Sequence, residues 1–96
     1  MPTHRLSIAD GARAPLPGTA YSLGIETLRH RVAAAKGDAY PRSMLTASVI
    51  LFEGKRQVAE QRFIDGERAR LGPLQVTLVG QGDGPSSALL DVVTPG

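Results

Sequence analysis

Apolar and polar positions alternate along much of this chain, and a repeat of two predicts strands. His4, Leu6 and Ile8 point one way and Arg5 and Ser7 the other, which reads as a short strand over 4–9 at a sheet edge. The clearest run is Ser43–Glu53. Leu45, Ala47, Val49 and Leu51 share one face, and Met44, Thr46, Ser48, Ile50 and Phe52 share the other. Apolar side chains on both faces mark a strand covered on both sides, hence a central one. Glu53-Gly54-Lys55-Arg56 then reads as a tight turn, and Gln57–Ile64 returns with Val58 and Ile64 opposite Ala59 and Phe63.

Asp65-Gly66 carries the hairpin signature, because a two-residue type I′ turn needs positive φ at both positions. After it, Glu67–Leu71 alternates Arg68 and Arg70 against Ala69 and Leu71, and Gly72-Pro73 ends that strand. Leu74–Val79 sets Leu74, Val76 and Leu78 against Gln75, Thr77 and Val79. The polar, glycine-rich stretch Gln81–Ser87 is a loop, and Ala88–Val93 is a last strand with Leu90 and Val92 inward. Gly11–Gly18 is a turn or extended loop, since its prolines cannot donate to a sheet ladder.

Thr19–Lys36 supports two readings. As a strand, Tyr21, Leu23 and Ile25 share a face, and a register change near Thr27 brings Leu28, His30 and Val32 together, as a bulge would. As a helix, Ile25, Leu28, Val32 and Ala35 fall at helical spacing and Gly37 supplies the stop. The sum is a mainly β fold: a small antiparallel β-sandwich or barrel, with a strand through Tyr21–Ile25 and, on the second reading, one short helix near residues 25–36. Short turns between successive strands make the pairing antiparallel. The predicted core is Leu23, Ile25, Leu45, Val49, Leu51, Phe63, Leu74, Val76, Leu78 and Leu90.

Composition narrows the picture. At 96 residues the whole chain, 1–96, is one β-rich domain. No apolar run approaches the ~20 residues of a membrane-spanning helix. No secretion-type leader stands at the N-terminus, so the default location is cytoplasmic; a periplasmic chain shorn of its leader or anchor would look the same. The chain has no cysteine, which removes disulfides, thiolate catalysis and cysteine-bound zinc. Its net charge of +2 is too small to argue for nucleic acid on its own.

Candidate chemistry is sparse. His4 and His30 are the only imidazoles and would need a carboxylate such as Glu26 to hold zinc. Ser43, Ser48, Ser86 and Ser87 stand in no nucleophile elbow. Asp65 and Glu67 flank a turn glycine, and turn chemistry explains Asp65. Gly80-Gln81-Gly82-Asp83-Gly84 lacks the following helix a phosphate loop requires. These features predict no catalytic residue, no bound metal and no cofactor. Arginine, nine of the eleven basic residues, suits phosphate forks. Arg29, Arg31 and Arg42 could cluster near one loop and Arg68 and Arg70 share a strand face; of these, Arg29, Arg31, Arg68 and Arg70 form the candidate polyanion site.

From Tyr21 to Gly80 the order of features resembles the soluble β region of ResB-type cytochrome c biogenesis proteins. The matching pieces are Leu16-Pro17-Gly18-Thr19-Ala20-Tyr21-Ser22-Leu23, a loop with Gly37 and Pro41-Arg42-Ser43, then strands around Glu53-Gly54-Lys55, and Gly66–Gly72 before Leu74. The Asn-x-Pro-Leu turn typical of that family is missing. The resemblance implies an antiparallel β module; such proteins assist haem delivery at the membrane, but no haem-handling residue falls in the matched stretch.

The function expected from the residues is a non-catalytic protein-interaction or self-associating β module. Its partner is another protein or a second copy, as a homodimer. The alternative is a weak binder of nucleic acid or another polyanion through surface arginines.

Overall fold

The computed structural model describes residues 3–33, 42–84 and 86–94, and the side chains of all of these except 30–33 and 42–44. Eight strands follow in order: β1 (Thr3–Ala9), β2 (Arg13–Pro15), β3 (Tyr21–Ala33), β4 (Arg42–Glu53), β5 (Arg56–Ile64), β6 (Arg68–Leu71), β7 (Leu74–Gln81) and β8 (Ser87–Val93). They form two four-stranded antiparallel sheets, β1-β8-β7-β6 and β2-β3-β4-β5. The architecture is thus a sandwich, not a closed barrel.

Every ladder but one joins strands adjacent in sequence; the exception is β8, which returns to pair with β1. The pairing traces an eight-strand meander opened at two corners, between β1 and β2 and between β5 and β6. Backbone hydrogen bonds at each corner are divided between the sheets. Asp10 N–H donates to the Ser86 carbonyl, whereas Gly11 N–H donates to the Ile25 carbonyl. Asp65 N–H donates to the Leu45 carbonyl on one side, and Gly66 N–H donates to the Leu78 carbonyl on the other.

This corrects the expectation for Asp65-Gly66. The dipeptide is a corner rather than a hairpin, because β5 and β6 belong to different sheets. Only Gly66 has positive φ (84°), and Glu67 N–H closes the turn on the Ile64 carbonyl. A type I′ turn needs positive φ at both central residues, whereas positive φ at the second alone is the type II pattern. That turn lacks the twist that folds two strands back onto one sheet.

The ambiguous segment is strand throughout 21–33, and the helix does not form there; residues 34–36 lie outside the described part. The ladder to β4 shifts register between Glu26 and Arg29, as the strand reading anticipated. Thr27 sits in this bulge with φ 53°, and Leu28 N–H donates to Asp10 Oδ1 at 3.4 Å. The bulge returns Leu28 to the core side, where it packs against the buried cluster. Spacing that imitated a helix stripe is therefore two strand segments out of phase. The ladder to β4 satisfies the backbone that a helix would have satisfied internally.

The core lies between the sheets. All ten predicted core residues are buried, joined by Ile8, Leu16, Ala47, Leu71, Ala88 and Val92. Burying each large aliphatic side chain is worth roughly 1.5–3 kcal/mol. Leu16, 1% exposed, belongs to no strand. Its turn is closed by Leu16 N–H to the Tyr21 carbonyl and by the Thr19 hydroxyl to the Leu16 carbonyl, which aims the side chain inward.

Candidate functional site

Strand β4 lies between β3 and β5, so it has two faces to cover. Its inner face, Leu45, Ala47, Val49 and Leu51, packs into the core. Its outer face carries Thr46, Ser48, Ile50 and Phe52 on the far side of the sheet from the core. Ile50 is nevertheless only 3% exposed and Thr46 7%. Long side chains from neighbouring strands help close this face. Arg62 Nη2 donates to Thr46 Oγ1 at 3.3 Å. The Arg13 guanidinium lies 3.6 Å from the centre of the Phe52 ring. Such stacking is worth about 0.5–1 kcal/mol at an exposed site and also fixes the arginine's direction.

Next to this stack is a small cleft of about 80 Å³. Its walls are the β1–β2 corner (Gly11, Ala12, Arg13), Gly24–Glu26 of β3, and Ile50 and Phe52 of β4. Gly24 creates the opening. It pairs with Arg13 on one side and Ile50 on the other, and a Cβ there would stand 3.1 Å from Phe52 Cε2. Arg13 marks one end of the cleft. Glu26, two residues beyond Gly24, marks the other. The ion pairs among the described residues are Arg5–Asp91 and Arg56–Glu53, so neither Arg13 nor Glu26 belongs to one.

The cleft can hold something the size of an amino-acid side chain, far short of the roughly 300–1,000 Å³ typical of small-molecule sites. Its lining holds one cation, one carboxylate and apolar surface, with no hydroxyl, thiol or imidazole. That arrangement offers a small apolar recess with one positive and one negative group at its rim.

The outer face of β3-β4-β5 continues beyond the cleft. On β5, Glu60 and Arg62 lie between Val58 and Ile64, which are 40% and 44% exposed. Arg29 is exposed on the same face, in register with Thr46. The face thus combines apolar side chains with charges of both signs: Arg13, Arg29 and Arg62 with Glu26 and Glu60.

The four arginines of the candidate polyanion site are not brought together. Arg29 and Arg31 are in β3, and Arg31 pairs with Met44; its side chain is outside the described residues. Arg68 and Arg70 are in β6, in the other sheet, exposed and in register with Thr77 and Gln75. The core separates the two pairs. Spacing along a chain cannot tell which sheet a strand joins, and the corner at Asp65-Gly66 is what sends β6 away.

The remaining candidates are also placed. His4 is in β1 and Glu26 in β3, so the proposed zinc partners lie in different sheets. Among the described residues no group of three or more His, Asp or Glu side chains gathers as a metal site. The amides of the glycine-rich loop are used internally. Asp83 N–H donates to Ser7 Oγ, Gly84 N–H to Ser87 Oγ and Gly82 N–H to the Ser87 carbonyl. Phe52 is half-buried on the outer face. It shares parity with Thr46, Ser48 and Ile50, a pattern the sequence carried.

Among the described residues three ionisable groups depart from their ordinary values, and two of them, Arg5 and Asp91, are on the other sheet. Arg5 and Asp91 face each other across β1 and β8, with Arg5 Nε 2.8 Å from Asp91 Oδ1 and Nη2 3.0 Å from Oδ2. The hydrogen bonds from Arg5 hold the Asp91 carboxyl below its usual range. Separately, burial and the cross-strand Glu53 carboxylate push the Tyr21 phenol up.

The chain matches no family model, no curated protein and no solved structure. The ResB-type resemblance therefore rests on its order of features alone and assigns no role to any residue of the cleft.

Proposed function

We propose that this domain is a non-catalytic interaction module that associates with a second copy of itself through the outer face of β2-β3-β4-β5. The observation that carries the reading is the composition of that face. Val58 stays exposed near half-buried Phe52 and Ile64 stays exposed at the other end of β5, with Glu60 and Arg62 between them and Arg13, Arg29 and Glu26 on the neighbouring strands. A twofold interface presents one patch to itself, so a patch with both signs of charge can be self-complementary. A uniformly basic surface would instead suit a polyanion. The free edge strand β5, with nine residues the longest of the four sheet edges, borders this face.

Sedimentation equilibrium on the wild-type chain tests the reading. A concentration-dependent dimer is expected, and Val58→Lys with Ile64→Lys should shift it to monomer without loss of strand content. A strict monomer at hundreds of micromolar would overturn the reading.

Arg68 and Arg70 favour a second reading. They lie side by side on the other sheet's edge strand, and neither is in an ion pair among the described residues. Weak polyanion binding by this pair predicts salt-dependent retention on single-stranded DNA that Arg68→Gln with Arg70→Gln removes. No retention at low salt dismisses it.

A further inference from the structure

We infer that the twofold axis of this self-association crosses the Gly24 cleft, so that Arg13 of each copy meets Glu26 of the other. The inference rests on the self-association reading and deepens it by naming the contact that fixes register.

Arg13 and Gly24 are cross-strand partners, and Glu26 is two residues further along β3. At about 3.3 Å per residue, Glu26 stands roughly 7 Å along the strand from the Arg13–Gly24 row. The Arg13 guanidinium leans over the Phe52 ring, and Phe52 pairs with Ser22, two residues from Gly24 on the side away from Glu26, so the two charges flank the bare glycine. A twofold axis lying in the interface midway between them carries Arg13 of one copy over Glu26 of its partner, and the reverse contact forms at the same time. Both groups lack an ion-pair partner within their own chain among the described residues, so neither internal pair must break first.

Two further features favour this position. The Phe52 ring holds the Arg13 guanidinium at 3.6 Å, so the arginine is oriented before association and loses less freedom on pairing. Gly24 puts no side chain at the axis, where two copies approach most closely. Any other axis on this face that superposes arginine on arginine would cost like-charge repulsion.

The test is a charge-swap pair measured by sedimentation equilibrium and by native mass spectrometry of mixtures. Arg13→Glu makes both positions acidic, and Glu26→Arg makes both basic. Each variant alone should dimerise at least tenfold more weakly than wild type. An equimolar mixture should form a heterodimer within a few-fold of wild-type affinity, because each acidic position then faces a basic one. Circular dichroism checks folding. Should a swap variant unfold, Arg13→Gln and Glu26→Gln replace the pair; each must then weaken the dimer, and their mixture, which rebuilds one of the two Arg13–Glu26 contacts, must give a heterodimer tighter than either homodimer and weaker than wild type. The outcomes separate two failures. A wild-type chain that never dimerises overturns the self-association reading itself. A wild-type dimer that tolerates the single variants, or variants whose mixture does not re-associate, leaves the dimer standing and overturns the Arg13–Glu26 contact.

Discussion

Replacing Gly72 with alanine perturbs the sandwich in two separable ways. Gly72 opens the β6–β7 turn with φ 60°, where an L side chain costs about 1–2 kcal/mol. A Cβ there would also stand 2.7 Å from Leu51 Cδ2. Leu51 is fully buried on the inner face of β4, so it cannot swing into solvent and must displace its neighbours. Overpacking of this kind costs roughly 1–3 kcal/mol. Alanine also stiffens the unfolded chain, which returns about 0.4–1 kcal/mol. The net loss should be about 2–4 kcal/mol, a large part of the roughly 5–15 kcal/mol that holds a small domain together.

Gly66 provides the matched control. Its φ is 84°, and nothing lies within 4 Å of the position its Cβ would take. Gly66→Ala shares the backbone and unfolded-state effects, so the difference between the variants isolates the collision with Leu51. Urea unfolding followed by far-ultraviolet circular dichroism gives both values; the chain has no tryptophan to report by fluorescence. Gly72→Ala should cost at least 1 kcal/mol more than Gly66→Ala, with an unchanged m-value. Repeating Gly72→Ala in a Leu51→Ala background should erase that excess, because the colliding methyl is gone. Equal costs for the two glycine variants, or an excess that survives in the Leu51→Ala background, would refute the packing assigned to this turn.

Thr27 is a β-branched residue at φ 53°, so Thr27→Gly should relieve strain and stabilise the domain by up to about 1 kcal/mol in the same unfolding assay. A clear loss of stability would show that the threonine side chain makes a compensating contact. Leu16→Ala should cost about 2–5 kcal/mol despite its place between two prolines in a loop, because the side chain is buried; a cost under 1 kcal/mol would count against its role in the core. Asp91 has a folded pKa depressed by Arg5, so its contribution to stability is present above the ordinary carboxylate range and lost as pH falls through the depressed value. NMR titration of the Asp91 carboxyl should show that depression in wild type and a return toward the ordinary value in Arg5→Gln; an unchanged titration would remove the ion pair from the account.

The inner faces were legible because burial imposes period two, and each strand carries its own record of it. Leu74, Val76 and Leu78 need no knowledge of partners to declare their side, and the same holds for Leu45, Val49 and Leu51. Leu16 escaped because one apolar residue between prolines has no period. Bulges hide differently. At Thr27 a single added residue turns two in-phase strand segments into the spacing of a helix stripe, and only the β4 ladder decides between them. The Asp65-Gly66 corner was misread for a third reason: a turn's residues fix its local φ values, whereas the sheet joined by the next strand depends on ladders formed far away.

That last reason also explains why the candidate site was only half visible. The outer parity of β4 was in the sequence, and Ile50 and Phe52 on it announced a second face needing cover. What the sequence could not supply was the cover. Arg13 comes from a three-residue strand that its flanking turns obscure, and it reaches Phe52 only because Gly24 lies between them without a side chain. Arg68 and Arg70 made a more conspicuous pair along the chain, yet the β5–β6 corner carries them to the opposite sheet, away from Arg29. The proposed interaction surface is thus set by the two corners. One brings Arg13 beside Gly24 and Phe52; the other takes two arginines away and leaves a face of mixed charge. A chain whose β5 and β6 paired as one hairpin would keep Arg29, Arg31, Arg68 and Arg70 in a single sheet and would favour a polyanion. They do not pair, and the mixed charge left on the outer face is the ground on which we propose self-association.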